Sequence, residues 1–531
     1  MMTRYLLLAL LFASVYAFNF NIAYRTARSS NRAISTTKLA QHTKQKKNGQ
    51  TARHVAANSI AKSTISSYAS ADQAAPAPSF AARQLEQDPQ YDELEQRDRA
   101  FARLLVATVE RRLGQIDKVL GCCIKKYPPK RGKHAAMIQA TLRVGVAQLL
   151  FLKTPPFAAV QETVQALKVH RPRVPEPMTK FVNGVLRKLS RPVAEDEGLL
   201  FGEQLLLTKT SADDNVAPWL VQQWKHDWGE EITKSICDEM IPIDELTVKS
   251  RIDISTKYSP GMLLKSNDDL ADQEKLAMEL GEDTILLPQG SIRVGQSLKG
   301  DIKSWARYDE GKWWVQDASS TLAAIALSSA LNDRYPDPSL VQVVDMCSAP
   351  GGKAAQLCST GYNVTAIEAS RRRTDRLKEN LDRLEFTNVC EVVVGEGQHW
   401  KPTTSVHGIL LDVPCSATGT GGRRPDVLRR SSDIGELLEI QQTLACHCVD
   451  ILDEGGILVY ATCSLLKAES EDQVSKLVSN GLVDTLPIKE NEVPGFEDSI
   501  DSNGWLRVIP GTLDGALSST DGFFVARLII K

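Results

Sequence analysis

The sequence predicts a multidomain protein: an all-α domain, a small α+β connector and a C-terminal α/β domain built around a parallel sheet. Three observations carry that reading. From Asp92 to Leu189 apolar residues recur at three-and-four spacing, the period of helices that bury one face. From Lys312 onward short apolar runs alternate with amphipathic stretches, as strands and helices do in parallel-sheet folds. Within that second region a turn carrying Gly351 and Gly352 joins an apolar run to a helix start. With 531 residues, 42% hydrophobic and 24% charged, the chain has room for two or three domains and is too apolar for wholesale disorder. No apolar run reaches the roughly 20 residues that span a bilayer, which argues against a membrane protein. Ten cysteines without a C-x-x-C pair predict reduced thiols and no structural metal; Cys446 and Cys448 are the nearest approach to such a pair.

In chain order, residues 1–17, "MMTRYLLLALLFASVYA", have one basic residue, an apolar core and a small-x-small end, the build of a cleavable signal. Residues 18–90 are expected to be a disordered transit peptide and linker: up to Ala71 there is no Asp or Glu, and 72–90 are Ala, Pro and Gln rich. This pairing resembles the two-part leaders of plastid proteins in algae with secondary plastids, and predicts the plastid stroma, with a mitochondrial leader or a plain secretory signal as alternatives. Loss of the leader takes the net charge from −2 to roughly −12, so nucleic-acid contact has to come from local basic patches. Residues 91–215 form the helical domain: "RAFARLLVATVERRL", "HAAMIQATLRVGVAQLLFL", "TPPFAAVQETVQALKV", with prolines at a helix start, and "KFVNGVLRKLSRP". Residues 216–310 read as the connector, with a helix at "PWLVQQWKHDWGEEITKSICDEM", then short strands at "LTVKSRIDI", "TILLPQG" and "SIRVGQ" around a helical "LADQEKLAMELG". No repeat of fixed period is visible.

Residues 311–531 hold the α/β domain. Strands are expected at "VQVVDM", "NVTAIEA", "CEVVVGE", "GILLDV", "GILVYAT" and "GFFVARLII", and helices at "KAAQLCST", "RRRTDRLKENLDRLE" and "DIGELLEIQQTLACHCVDILDEG". Glycines in "VVDMCSAPGGKAAQL" let the backbone approach a ligand, and the helix start beyond them offers unpaired amides. Glu368 ends the next strand, where a carboxylate can accept from both hydroxyls of a ribose. Glu396 and Asp412 end the two strands after that, so one carboxyl edge of the sheet is lined for a nucleoside-bearing ligand. Two strand ends also offer cysteines: Cys415 follows Pro414 in "GILLDVPCSATGTGG", and Cys463 ends the run "LVYATCSLL". A free cysteine is most often a small buried hydrophobe, and that reading is favoured for Cys347, Cys358, Cys390, Cys446 and Cys448. His399 and His447 read as surface or packing residues.

"DMCSAPGGK", "LLDVPCSATG" and "YATCS" resemble motifs I, IV and VI of S-adenosylmethionine-dependent RNA cytosine carbon-5 methyltransferases. "PPFAAVQETV", "FVNGVLRKLSR", "VQDASS" and "DGFFVARL" extend the resemblance, over about residues 95–531, to the bacterial small-subunit rRNA methyltransferases of the RsmB type, also called Sun or Fmu. The resemblance implies a NusB-like helical RNA-binding domain followed by a Rossmann-like class I methyltransferase domain. It places cofactor contacts on Cys347, Ser348, Ala349, Pro350, Gly351, Gly352, Lys353, Glu368, Glu396 and Asp412. The acids at positions 368 and 396 are commonly Asp in this family, and each extra methylene here asks the backbone to retreat. Lys353 either touches a ligand or caps the turn.

Carbon 5 of cytosine is a poor nucleophile until a thiolate adds to carbon 6 and pushes electron density onto it. The resemblance implies Cys463 as that nucleophile, Cys415 as the residue that assists adduct release, and Asp412 as the partner of the cytosine edge. Such chemistry needs an unstacked base; the resemblance implies RNA as the partner, as small-subunit rRNA, with transfer RNA or a non-catalytic assembly role as alternatives. The expected state is a monomer without metal. Candidate phosphate contacts are "KKYPPKRGKH" at 125–134, "KVHRPR" at 168–173, "RKLSR" at 187–191 and, best placed, "GGRRPDVLRR" at 421–430.

Overall fold

The computed structural model describes residues 51–68, 81–125, 134–194, 196–241, 252–257, 267–295, 297–298, 300–430 and 433–531. The signal-like segment and most of the basic run 125–134 lie outside the described residues.

The helical domain comprises α1 (Ala52–Tyr68), α2 (Gln96–Arg111), α3 (Leu113–Cys123), α4 (Ala135–Leu150), α5 (Pro156–Lys168) and α6 (Glu176–Leu189). Helix α1 corrects the sequence reading, which placed these residues in a disordered leader. Its Val55, Ala56 and Ile60 join one core with Leu105, Val109, Leu142 and Leu186. The misreading has a physical cause: α1 is rich in Ala and Ser and has almost no amphipathic contrast, and its basic residues gave it a leader's composition. Helix α4 is the hub, buried on nearly all sides from Met137 to Leu150. Gly145 lets it approach α6, because an added Cβ would meet Leu186 at 2.6 Å. Helix α6 turns Val182, Val185, Leu186 and Leu189 inward at three-and-four spacing.

The connector starts with α7 (Pro218–Met240), which bends at Gly229, where φ is +81°. A four-stranded antiparallel sheet follows, formed by β1 (Asp253–Thr256), β2 (Ile285–Leu286), β3 (Ile292–Arg293) and β4 (Trp313–Val315), in the order β2-β3-β1-β4, with α8 (Asn267–Leu280) between β1 and β2. Strand β4 therefore belongs to this sheet although it lies beyond residue 310. Buried Asp253 locks the module to the α/β domain: it pairs with Arg293 at 2.8 Å and accepts from the Ala318 amide at 3.2 Å.

The α/β domain opens with α9 (Ala318–Asn332), capped by Asp317, whose side chain accepts from the Ser319 amide at 3.0 Å. Then come β5 (Gln342–Met346), α10 (Gly352–Ser359), β6 (Asn363–Glu368), α11 (Arg371–Arg383), β7 (Cys390–Val394), β8 (Gly408–Asp412), α12 (Ile434–Ile451), β9 (Ile457–Thr462), α13 (Glu471–Ser479), β10 (Val483–Thr485), β11 (Leu506–Val508) and β12 (Phe523–Ile530). The sheet runs β10-β12-β9-β8-β5-β6-β7, with β11 also paired to β12. Strands β7, β6, β5, β8 and β9 are parallel, and β12 is antiparallel to β9. The chain moves outward from β5 through β6 to β7, then crosses to β8 on the other side. Ligands settle at the carboxyl ends of the strands that flank such a reversal.

Candidate active site

At that reversal β5 runs into the loop 347–353. Cys347 adopts φ +65° and Gly351 φ +101° before α10 begins. Only glycine suits position 351, since an added Cβ would also meet Leu377 at 2.5 Å. The Ser348 amide donates to the Ile367 carbonyl at 2.9 Å, which fastens the loop to β6. Glu368, 3% exposed, folds beneath the same loop. It accepts from the Ser370 amide at 2.9 Å and the Ala349 amide at 3.3 Å, and Arg373 pairs with it at 3.2 Å. The extra methylene of Glu368 is thus taken up by the carboxylate turning toward its own loop. Glu396 differs: its side chain is exposed and contacts His399 at 3.3 Å and Gln398 at 3.0 Å.

Beneath the loop Asp345 is fully buried. Ser348 donates to its Oδ2 at 2.6 Å, while Oδ1 has no hydrogen-bond partner. Burial pushes this carboxyl up to about 7, against the pull of Ser348 and Lys353. Burial, with Asp412 and Glu368 nearby, likewise pushes the Cys347 thiol up to about 12. The N-terminal turn of α10, the Asp345 carboxyl and the Glu368 carboxylate make a polar cradle. It fits S-adenosylmethionine, which carries ammonium, carboxylate and ribose hydroxyl groups. Sequence reading omitted Asp345 and Arg373, although Asp345 lies inside the quoted "DMCSAPGGK" run.

The two thiols meet. Cys415 and Cys463 are each partly exposed, with Sγ atoms 3.6 Å apart, although 48 residues separate them in the chain. Adjacent strands explain this, because β8 and β9 pair in register with Asp412 opposite Ala461. Lys353 Nζ binds Asp412 Oδ2 at 2.8 Å and lies 5.2 Å from the centre of the Phe523 ring. Burial works against the Lys353 charge, but Asp412 and Asp345 outweigh it and raise its pKa. The Cys463 thiol is held well above its ordinary value by the Cys415 hydrogen bond and by burial; Asp412 adds to this and Lys353 opposes it. A nucleophilic thiolate here therefore has to be generated, with the Lys353 ammonium and the Arg423 guanidinium as charges that favour it.

The loops behind the thiols rest on the connector. Leu220, Trp224 and Met240 of α7 pack with Ala417, Leu428 and Leu465, and Trp228 donates to the Leu465 carbonyl at 2.8 Å. Buried Glu469 joins both loops from behind and was not singled out from sequence. The basic run 421–430 divides. Arg423 pairs with Asp521 and stays partly exposed, and Arg424 is about half exposed. Arg430 pairs with Asp426 at 2.6 Å, and burial lowers the Arg429 pKa beside Glu110 of α2. Half of the run thus faces the protein. In the helical domain Lys168 and Arg187 border a cleft of about 510 Å³ that includes Phe157, 78% exposed. His447 binds the Trp400 carbonyl at 2.7 Å, a packing role. Among the described residues no group of His, Cys, Asp and Glu is arranged to hold a metal, and no helix is long and apolar enough to cross a membrane.

Residues 335–529 match the family described as 16S rRNA methyltransferase RsmB/F, and residues 50–191 match the NusB family. The ribosomal RNA small subunit methyltransferase B of Shewanella oneidensis is 32% identical over 449 residues, covering 82% of this chain and 91% of that protein. Its counterpart in Xylella fastidiosa is 32% identical over 445 residues, covering 82% and 92%. A solved structure titled PH0851 superposes with a TM-score of 0.61 over 90% of this chain and 98% of that one, at 20% identity, a likeness of fold. Catalytic and helical parts both match, in the same order and over most of the length, so the chain belongs to the RsmB/F family of 16S rRNA methyltransferases.

Proposed function

We propose that this protein methylates carbon 5 of a cytosine in small-subunit rRNA, with Cys463 forming a transient bond to carbon 6 of the base. S-adenosylmethionine, held by the 347–353 loop, Asp345 and Glu368, supplies an electrophilic methyl group. The observation that carries the reading is the pair of thiols 3.6 Å apart beside the Lys353–Asp412 ion pair, next to the cofactor cradle. Cys463 loses its proton and its sulfur bonds to carbon 6, and the electrons of the carbon 5–carbon 6 double bond move onto carbon 5 and toward ring nitrogen 3. The proton given up by Cys463 passes to nitrogen 3 as charge builds there, and the resulting N–H donates a hydrogen bond to Asp412, whose Oδ2 is already steadied by Lys353. Once carbon 5 is methylated its proton passes to solvent water, and nitrogen 3 gives its proton back to the departing Cys463 sulfur. The electron pair then restores the double bond and the carbon–sulfur bond breaks, with Cys415 assisting release of the Cys463 thiolate.

The exposed face of Arg424 and the cleft lined by Lys168 and Arg187 supply cations for RNA phosphates. Transfer of labelled methyl groups to small-subunit rRNA, followed by bisulfite mapping, tests the assignment. A Cys463→Ala protein that still methylates cytosine overturns the chemistry. The acid-free composition of the first 50 residues supports delivery to a plastid. A reporter fused to residues 1–50 that accumulates elsewhere removes that destination.

A further inference from the structure

Behind the two cysteines lies a carboxylate that touches neither ligand site. Glu469 sits at the end of a short turn between β9 and α13 and is 0% exposed. Four donors converge on it. The Ser416 amide reaches Oε1 at 2.9 Å and Gln441 Nε2 reaches the same oxygen at 3.0 Å. The hydroxyls of Ser416 and Ser464 both donate to Oε2. Gln441 also donates to the Pro414 carbonyl at 2.9 Å. The Pro414 carbonyl and the Ser416 amide are the backbone groups on either side of Cys415, and Ser464 follows Cys463 directly.

We propose that Glu469 is the positioning residue that sets the two thiols against each other. One buried carboxylate accepts from both cysteine loops, so neither loop can shift without breaking a charge-assisted hydrogen bond in a dry site. Hydrophobic packing alone would not fix this distance, because contacts between apolar side chains have no preferred direction. A carboxylate suits the place because every group around it donates, and an amide would turn an NH₂ toward at least one donor. Gln441 extends the clamp to the residue before Cys415, which fixes the peptides on both sides of that thiol. The proposal rests on the assignment of Cys463 and Cys415 above, and its test is separable from that assignment.

The experiment compares wild type with Glu469→Gln and, as a second probe that leaves the acid in place, Gln441→Met. Methyl transfer to small-subunit rRNA, cofactor Kd, RNA KM and melting temperature are measured for each. Glu469→Gln is expected to lower kcat about a hundredfold and Gln441→Met about tenfold, with cofactor Kd and RNA KM within twofold of wild type. A Gln441→Glu change placed in Glu469→Gln, which returns one carboxylate to the cluster, should recover part of the lost kcat. Unchanged kcat in both variants overturns the proposal. So does a loss of kcat that comes with an equal loss of cofactor affinity, the mark of general unfolding. If Glu469→Gln does not fold, the Gln441→Met kcat decides by the same criteria. Failure of the cysteine assignment shows itself separately, as methyl transfer that survives in Cys463→Ala with Glu469 intact.

Discussion

Cys463 lies one residue past the end of β9 and Cys415 three residues past the end of β8, and the tasks proposed for them differ. Removing Cys463 should abolish methyl transfer and leave cofactor binding intact, whereas Cys415→Ala should accumulate a covalent RNA–protein complex that migrates slowly on a denaturing gel; the reverse pattern would exchange the two roles. The Cys415 hydrogen bond is the leading reason the Cys463 thiol is hard to ionise, and burial comes next. Cys415→Ala should therefore speed alkylation of Cys463 by iodoacetamide at neutral pH, measured by mass spectrometry of the labelled peptide. Because the Cys463 pKa lies above neutrality, wild-type kcat/KM should climb by about a factor of ten per pH unit between pH 6 and 8, where thiolate formation limits the rate. Asp345 behaves in the opposite sense toward stability. Its folded pKa, about 7, stands above the usual carboxylate value, so the native state tolerates it protonated and is progressively destabilised as pH rises from about 4 to 7. Asp345→Asn cannot ionise, and its melting temperature should overtake wild type across that window and hold a constant lead above it.

Among the elements, the glycine loop is the most exacting. Gly351→Ala forces a side chain into a left-handed backbone and against Leu377, so it should cost about 2 kcal/mol or more of stability and weaken cofactor binding at least tenfold by calorimetry. Strands β5 to β9 and β12 were legible in the sequence because a strand inside a covered sheet is a short apolar run, and each expected run ends within two residues of its strand. Helix α9 escaped notice for a related reason. "ASSTLAAIALSSALN" is buried on nearly every side, so it has no polar face to reveal a helical period. The positions of the two cysteines, the glycines, Glu368 and Asp412 could be read from sequence, since each lies at or just past the end of an element, whereas Glu396 turns outward to His399. Glu469 could not, because its importance lies in groups drawn from three separate segments that converge only in space.

At the level of the whole molecule, helix α1 decides where the helical domain begins. A chain starting at residue 91 lacks α1 and the core positions Val55, Ala56 and Ile60, so its helical domain should melt far below that of a chain starting at residue 50. Circular dichroism of the two truncations tests this, and equal melting temperatures would return α1 to the leader. The domains meet at the catalytic loop, where Arg429 lies buried within the field of Glu110. That contact was hidden in the sequence, where a run of arginines reads as surface and nothing marks which of them turn inward.

The register between β8 and β9 also limits how the gene can change. Side chains along a strand alternate between faces, so a single codon gained or lost within 408–412 or 457–462 would break the Asp412–Ala461 register and shift one sulfur-bearing loop against the other. Lengthening is tolerable only in the turns, for instance around Gly455, where an added side chain would meet open space. Divergence in the number of residues between the two sulfurs is therefore expected to fall in connecting turns and never inside either strand.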